Sequence, residues 1–370
     1  MNSEKVFYNI KTFQNQTSFF VKVQLVSGRD MIILNCTLKL FLDFLRLHHQ
    51  MFMVLSNLMQ ICVSERQIMN LRNISREDIP ALTEICRLGM EYDAWFRELV
   101  AEKTVDAKDF DPELGIVAEE DGDPAGFIQG VFGDLHGTPR GWVRLLVVHP
   151  RHRCKGIGGA LLKELENRLI DKGAEEISIM DVPGNYHMPG VDHRYKEAFC
   201  FLPKMGYKRG IPNINLICEI FPGIITDKHE ELLEKRREEG FDCRLATKSD
   251  WEGIKKFLKA NWECWINEAA SCLDTDPSTL YICVHGDEVV GFSGYEGNNR
   301  GTGWFGPMGV DPVTRGKSIG ALLLLLCLRD MALIGHRKAI IPWVGPVRFY
   351  DKICNADMDR IFWTYLKKLK

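Results

Sequence analysis

The sequence has no C-x-x-C pair and no paired Cys/His spacing among its 12 cysteines, which stand singly from Cys36 to Cys354. That argues against the usual zinc frameworks and against a disulfide scaffold, and cysteine used so freely fits a reducing cytoplasm. There is no surplus of positive charge either. With Lys+Arg 47 against Asp+Glu 50 the net charge is −3, so no nucleic-acid partner is expected. A long apolar run is also missing. Leu47 to Val63 carries no formal charge, but it contains His48 and His49 and is shorter than the roughly 20 apolar residues of a spanning helix.

What is present is a junction that occurs twice. Arg144 to Val148 reads as an apolar strand that stops at His149-Pro150. A basic loop follows, Arg151-His152-Arg153-Cys154-Lys155-Gly156-Ile157-Gly158-Gly159, and then a helix with Ala160, Leu161, Leu162 and Leu165 on one face. Backbone N–H groups at a helix start have no intrahelical acceptor and carry partial positive charge, so such a place binds anions. Gly156 and Gly158 let that backbone approach a bulky phosphate-bearing ligand. The same residue types return at one constant offset in Val310-Asp311-Pro312-Val313-Thr314-Arg315-Gly316-Lys317-Ser318-Ile319-Gly320-Ala321-Leu322. A Walker loop is excluded there, since the glycine required five residues before Gly316 is Asp311.

The order of elements around the two junctions also repeats. In 69–222, a strand at Leu71 to Ile74 is followed by the capping pattern Ser75-Arg76-Glu77-Asp78, an amphipathic helix through Ile79, Leu82, Ile85 and Leu88, and a second helix at Tyr92 to Glu102. Strands at 116–119, 126–132, 142–149, 176–182 and 213–220 and helices to Lys172 and over 196–204 complete it. The segment 223–240, with Glu230, Glu231, Glu234, Lys235, Arg236 and Arg237, reads as a solvated linking helix. In 241–370 the series recurs, with the helix after the junction apolar almost all round (Leu322 to Leu326, Leu328, Leu333), which predicts burial on both faces. Residues 1–68 do not match either half. The apolar part, 31–63, reads as an amphipathic extra helix, a membrane-surface contact, or upstream sequence read through from a misplaced start. An α/β (α+β) architecture with mixed, mostly antiparallel sheets flanked by helices follows.

Arg153-x-x-Gly156-x-Gly158, after a Val-x-Pro strand end, resembles the acetyl-CoA-binding motif of GNAT-type N-acetyltransferases, and both halves resemble complete GNAT units in tandem. The resemblance implies acetyl-CoA as acyl donor. Its pantetheine arm would lie along Leu146 and Val148 in the first half and Met308 and Val310 in the second. Its pyrophosphate would lie on Arg153, Lys155, Gly156, Gly158 and Gly159, or on Arg315, Lys317, Ser318, Gly320 and Ala321. Ser318 departs from the first glycine of the motif. The family's proton donor to the leaving thiolate, a tyrosine two residues before a lysine, corresponds to Tyr350 ahead of Lys352. In the first half Leu202 stands there and has no proton to give.

No acid occurs in either junction strand. Glu119, Glu120 and Glu296 are candidate bases by strand position only, and none is assigned. The loop 182–195 is longer than its counterpart and offers Tyr186, His187 and Asp192 as an acceptor pocket. The leading expectation is an N-acetyltransferase acting on a primary amine, with a small molecule favoured over a protein. The alternative is a catalytically silent acyl-CoA sensor or scaffold.

Overall fold

The structure, a computed structural model, describes residues 69–369 in full and, before them, the backbone of 7–15, 18–27 and 30–37. The chain divides into two compact units, Met1–Ile68 and Met69–Lys370. In the first, β1 (Phe7–Asn15), β2 (Ser18–Ser27) and β3 (Asp30–Thr37) form an antiparallel sheet. Met31 to Thr37 is therefore strand rather than helix, paired along β2 from Phe20↔Thr37 to Ser27↔Asp30. The remainder of the expected apolar segment, 38–63, lies outside the described residues. Among the described residues no helix is long and apolar enough to cross a membrane.

The second unit begins with β4 (Asn70–Asn73), α1 (Ile79–Gly89) and α2 (Arg97–Lys103). The capping reading holds at Ser75, whose backbone N–H and hydroxyl both bond Asp78. Asp78 is in turn gripped through both oxygens by Arg72 at 2.7 Å. Thr247, Asp250 and Arg244 repeat the device in the other half. Next come β5 (Gly115–Glu120), β6 (Asp123–Leu135) and β7 (Thr138–Val148), then α3 (Ile157–Asp171) and β8 (Glu176–Ile179). After the short β9 (Val191–Asp192), α4 (Lys196–Lys204) and β10 (Lys208–Glu219) end the first half.

A connecting helix, α5 (Asp227–Glu238), leads to β11 (Phe241–Leu245), α6 (Trp251–Asn261) and α7 (Ile266–Leu273). Then follow β12 (Leu280–His285), β13 (Glu288–Tyr295), β14 (Phe305–Val310) and α8 (Ile319–Leu333). The chain closes with β15 (Lys338–Ile341), α9 (Val347–Cys354) and β16 (Asp357–Lys368). Two details differ from the sequence reading. Helix α2 starts at Arg97, because Asp93 and Trp95 are drawn into contacts with His187 and Arg360. And α5 is not simply solvated: Leu233 joins the core around α8, together with Ile224 and Ile225. That cover explains why Leu322 to Leu328 are all buried.

The halves do not close their sheets separately. The strand order is β15-β10-β16-β8-β7-β6-β5-β4, so the last strand of each half is exchanged. β16 pairs with β8 of the first half (Leu366↔Ser178), and β10 pairs with β15 of the second (Leu216↔Ile341). β10 and β16 also pair with each other from Lys208↔Leu366 to Ile217↔Asp357. Arg360 of β16 carries the exchange into side-chain chemistry, lying 2.6 Å from Asp93 and 2.5 Å from Asp192. Both carboxylates are nearly or fully buried. Burial alone would raise the Asp93 carboxyl, but His187 and Arg360 outweigh it and hold the group well below its ordinary value.

Removing one partner of a buried pair leaves the other charge uncompensated. Arg360→Leu should therefore cost about 3–5 kcal/mol of stability, read as a lower midpoint in denaturant unfolding at neutral pH. A depressed carboxyl stabilises above its unfolded value and loses that contribution as pH falls. The difference between wild type and variant should accordingly shrink as the pH is lowered below about 4.

Candidate active site

At the end of β7 the turn Pro150–His152 leads through Arg153, Cys154 and Lys155 into α3. Cys154 (φ 62°) and Gly156 (φ 89°) are both left-handed, and Gly156 is the N-cap. Ala160 N–H is the first to bond back along the helix, to Gly156 O at 3.0 Å. The N–H groups of Ile157, Gly158 and Gly159 precede it and have no acceptor within the helix. Nothing lies within 4 Å of where a Cβ would stand on Gly156 or Gly159, so the loop presents open backbone there. The basic side chains are more committed than the sequence suggests. Arg153 donates to Gly89 O (2.9 Å) and Val148 O (3.2 Å), tying the loop to the end of α1. Lys155 pairs with Glu120 at 2.9 Å.

The second junction has the same backbone path. Gly316 (φ 86°) and Ser318 (φ 62°) are the left-handed residues, and Leu322 N–H bonds back to Ser318 O at 3.0 Å. Gly320 is tighter than its counterpart, since a Cβ there would stand 3.1 Å from Met308. Arg236 of α5 donates to Lys317 O at 2.7 Å, and Lys317 lies over the Phe241 ring. Arg315 is the C-cap of the preceding turn, and Ala321 lies in the first turn of α8.

Each junction strand parts from its parallel neighbour. β7 and β8 pair only from Arg140↔Glu176 to Val143↔Ile179, and the last rung is Met180 N–H to Val143 O at 2.8 Å. On the opposite edge β7 stays paired with β6 through Val148↔Gly126. Leu146 and Val148 thus border an opening where backbone groups have no strand partner. A bulge at Arg144 marks the place, between the pairs Gly130↔Val143 and Gln129↔Leu145. In the second half the corresponding strands meet at a single bridge, Trp304↔Ile340, leaving Met308 and Val310 beside the equivalent opening.

Tyr350 of α9 is almost fully buried, with its hydroxyl 3.9 Å from the Met308 sulfur. Burial raises its phenol well above the ordinary value, so it stays protonated. Leu202, the first half's counterpart, is buried as well.

The three residues expected to form an acceptor pocket are instead built into the contact between halves. Tyr186 packs edge-on against Trp304 and Trp343, and its carbonyl accepts from Lys103 (3.3 Å) and Asn298 (2.8 Å). His187 packs at a tilt against Trp95 and reaches Asn299 at 3.3 Å. Asp192 is fully buried between Arg194 and Arg360. The candidate bases named from strand position are engaged too. Glu119 holds Arg72, Glu120 holds Lys155 and His152, and Glu296 accepts backbone N–H groups from Gly301, Gly303 and Trp304.

A cavity of about 580 Å³ lies between α2 and α7, with Glu98, Glu102, Asp109, Asn185 and Asn267 in its wall. Asp109 is tied to Arg144, the bulged residue of β7. Sequence reasoning missed Arg144 and also Asp181, the residue at which β8 has left β7.

The sequence model of the acetyltransferase (GNAT) family matches residues 77–188 and 233–354, together more than half of the chain. The chain belongs to this family. Its members take the acyl group from acetyl-CoA or another acyl-CoA. An acetyltransferase of Sodalis glossinidius is 43% identical over 70 residues, covering 19% of this chain and 46% of the relative. One from Pectobacterium atrosepticum is 41% identical over 70 residues, 19% of this chain and 47% of that protein. The chain thus spans a little under half the length of these curated relatives.

Three solved structures share the fold of the tandem. A tandem GNAT protein from the clavulanic acid biosynthesis pathway has a TM-score of 0.59 at 15% identity, covering 81% of this chain and 98% of that one. A GCN5-related N-acetyltransferase from Sphaerobacter thermophilus has 0.57 at 17%, covering 81% and 95%. A GCN5-related glucosamine N-acetyltransferase region of a fungal multi-domain β-N-acetylglucosaminidase has 0.68 at 17%, covering 81% and 38%.

One further buried acid belongs to the contact between halves. Glu268 of α7 is 6% exposed, and burial raises its carboxyl to about 7 against the pull of Lys103. A carboxyl whose folded value exceeds its unfolded one costs stability as pH rises from the unfolded value through the folded one. Glu268→Gln should therefore be more stable than wild type at pH 8 by roughly 2–3 kcal/mol, with the gap closing below about pH 4.5, as thermal melts at the two pH values would show.

Proposed function

We propose that this acetyltransferase is an acetyl-CoA-dependent N-acetyltransferase that acts on a primary amine of a small molecule. The observation that carries the reading is the twice-built junction: a strand edge without a partner, two left-handed residues, and a helix start whose first N–H groups face no intrahelical acceptor. That combination fits an extended pantetheine amide chain followed by a pyrophosphate, because it offers backbone groups to the first and oriented N–H groups to the second. The two halves are 69–222 and 241–370, joined through 223–240, with their last strands exchanged.

In the first cleft, Leu146 and Val148 would offer their backbone to the arm, and Gly156, Gly158 and Gly159 would face the pyrophosphate. Lys155 adds charge nearby, and Arg153 positions the loop through Gly89 and Val148. Met308, Val310, Arg315, Lys317, Ser318, Gly320 and Ala321 would do the same work in the second. Acetyl-CoA, when bound, supplies the thioester that is cleaved. Tyr350 holds its proton next to the second junction strand, where a leaving thiolate would need it. The cavity between α2 and α7 has room for a small amine, and carboxylates outnumber cations in its wall. A glucosamine-like amino sugar, the acceptor in the name of the fungal region, is one member of that class. The cysteines among the described residues are free, which fits a reducing cytoplasm.

A ligand bound only by the folded state stabilises it by about 2.7 kcal/mol at one hundred times its Kd. Millimolar acetyl-CoA should raise the melting temperature by a few degrees, and an unchanged melt would remove the reading. If the second cleft turns over, Tyr350→Phe should lower kcat by about 10²–10⁴ and leave the acetyl-CoA shift intact. Binding without turnover on any amine would favour the sensor alternative, for which Leu202 speaks.

A further inference from the structure

We propose that Asp181 is the general base of the first cleft, the carboxylate that takes the proton from the acceptor amine. This rests on the acetyltransferase reading above. Asp181 directly follows Met180, whose N–H makes the last rung between β8 and β7 and whose φ of 73° turns the chain out of the strand. It is therefore the first residue of β8's continuation to stand free of β7, at the level of the bulge.

Its side chain lies on the face of the sheet away from the cradle helix. Gly141 faces Leu169 of α3, so Trp142 points to the opposite side, and Ser178 is the cross-strand partner of Trp142. The Ser178 hydroxyl, on that side, is near enough to draw the Asp181 carboxyl down. A cofactor held by α3 and a base behind the sheet would thus meet across the opening from opposite faces. The loop that continues from Asp181 then supplies Pro183, Gly184 and Asn185 to the wall of the 580 Å³ cavity. Carboxylate and cavity wall are contiguous along the chain, and the bulge lies on the neighbouring strand.

One oxygen of Asp181 is buried and has no hydrogen-bond partner, and neither does the buried Nε of Arg140 on β7. Buried polar atoms are normally satisfied, so an orphaned acceptor at the mouth of a cleft marks a place for a proton-bearing group or a water. Burial lifts the carboxyl to about 6, against the Ser178 hydroxyl, its own backbone N–H and the charge of Arg140. At neutral pH it is then ionised and a far better proton acceptor than an ordinary aspartate. The groups that face it are few. Arg140 of β7 is the charged one and shares its guanidinium with Glu176 of β8. From the second half the same layer receives the apolar Trp304 and Ile340, and Tyr186 packs edge-on against Trp304 there. In the second half, Trp343 occupies the position that Asp181 holds in the first, by the register that equates Trp304↔Ile340 with Trp142↔Ser178.

The acceptor ammonium gives one proton to Asp181, directly or through a water. The neutral nitrogen's lone pair then forms the C–N bond as the thioester C–S bond breaks. The sulfur leaves with that bond's electron pair and is protonated from solvent, since Leu202 has no proton to give. The amide nitrogen loses its second proton to the same solvent.

The test compares two nucleophiles with acetyl-CoA as donor, following free CoA. Ethanolamine is protonated at pH 7 and needs a base, whereas hydroxylamine is already neutral and does not. Asp181→Asn should lose at least 100-fold in kcat/KM with ethanolamine and less than 5-fold with hydroxylamine. Asp181→Glu should recover part of the ethanolamine rate. The wild-type ethanolamine profile should carry a rise near pH 6 that the Asn variant lacks. Equal losses with both nucleophiles, no loss with either, or no wild-type turnover with either would overturn the assignment. The acetyl-CoA melting shift of Asp181→Asn must match that of wild type, which also shows that the variant folds. Loss of the shift in the variant alone overturns the assignment, and absence of the shift in wild type overturns the cofactor reading instead.

Discussion

The exchanged ladder between β10 and β16 is the constraint on which the rest of the second unit depends. Because β16 lies between β8 and β10, each half completes its sheet with a strand from the other. A backbone ladder is expensive to leave unpaired, so neither half can satisfy its edge groups alone. The exchange also decides what the intervening side chains become. Arg360 rides on β16 into a layer that already contains Asp93 and Asp192, and Lys103 of α2 meets Asn298 from the loop after β13. Lys103 is fully buried, and burial lowers its ammonium to about 8 against the pull of Glu102. It is nonetheless kept in place by Glu102, Asn185, Tyr186 and Asn298, which together absorb all its donors.

From that arrangement comes the unequal chemistry of the two clefts. The longer loop 182–195 crosses toward the second half, where Tyr186 lodges between Trp304 and Trp343. In the first half the strand end before this loop carries an acid with an orphaned oxygen, and the helix after it carries an inert leucine. In the second half the strand end carries a tryptophan, and the helix carries a buried tyrosine. Under the roles proposed for Asp181 and Tyr350, each half keeps one of the two proton-handling positions. Nothing in the core forces that choice, since Leu202 and Tyr350 are both well buried.

The sequence disclosed whatever follows from local pattern. The repeat, the capping device at Ser75, the junctions, and the burial of α8 from Leu322 to Leu328 were legible because each is written in neighbouring residues, whereas Leu333 at the end of that helix is exposed. What was hidden depends on distant pairing. The strand exchange leaves no mark in β10 or β16 themselves, which read as ordinary strands. Tyr186, His187 and Asp192 have the composition of an acceptor pocket, but their partners come from Asp93, Asn299 and Arg360, far away in the chain. Arg153 and Lys155 looked like phosphate ligands because charge is visible in sequence, whereas their bonds to Gly89, Val148 and Glu120 are not. Asp181 did leave a trace: it is the single acid between Ile177 and Val182, opposite Trp343 in the repeat. It becomes meaningful only once the last rung of β7 and β8 is known.

The departure at Ser318 looks different once the backbone is seen. A glycine missing from a phosphate loop suggests a weakened site, since a Cβ crowds the ligand. Yet each junction uses two left-handed residues, and each supplies one of them from glycine: Cys154 with Gly156, Gly316 with Ser318. A non-glycine residue pays about 1–2 kcal/mol to sit there, and both loops accept that cost once. The glycine has moved by two positions while the path of the chain, and with it the direction of the N–H groups ahead of Ala160 and Leu322, has not. What an anion meets is that direction. The two loops therefore differ in how the left-handed cost is distributed, and in what crowds Gly320, more than in their ability to present a helix start to a pyrophosphate.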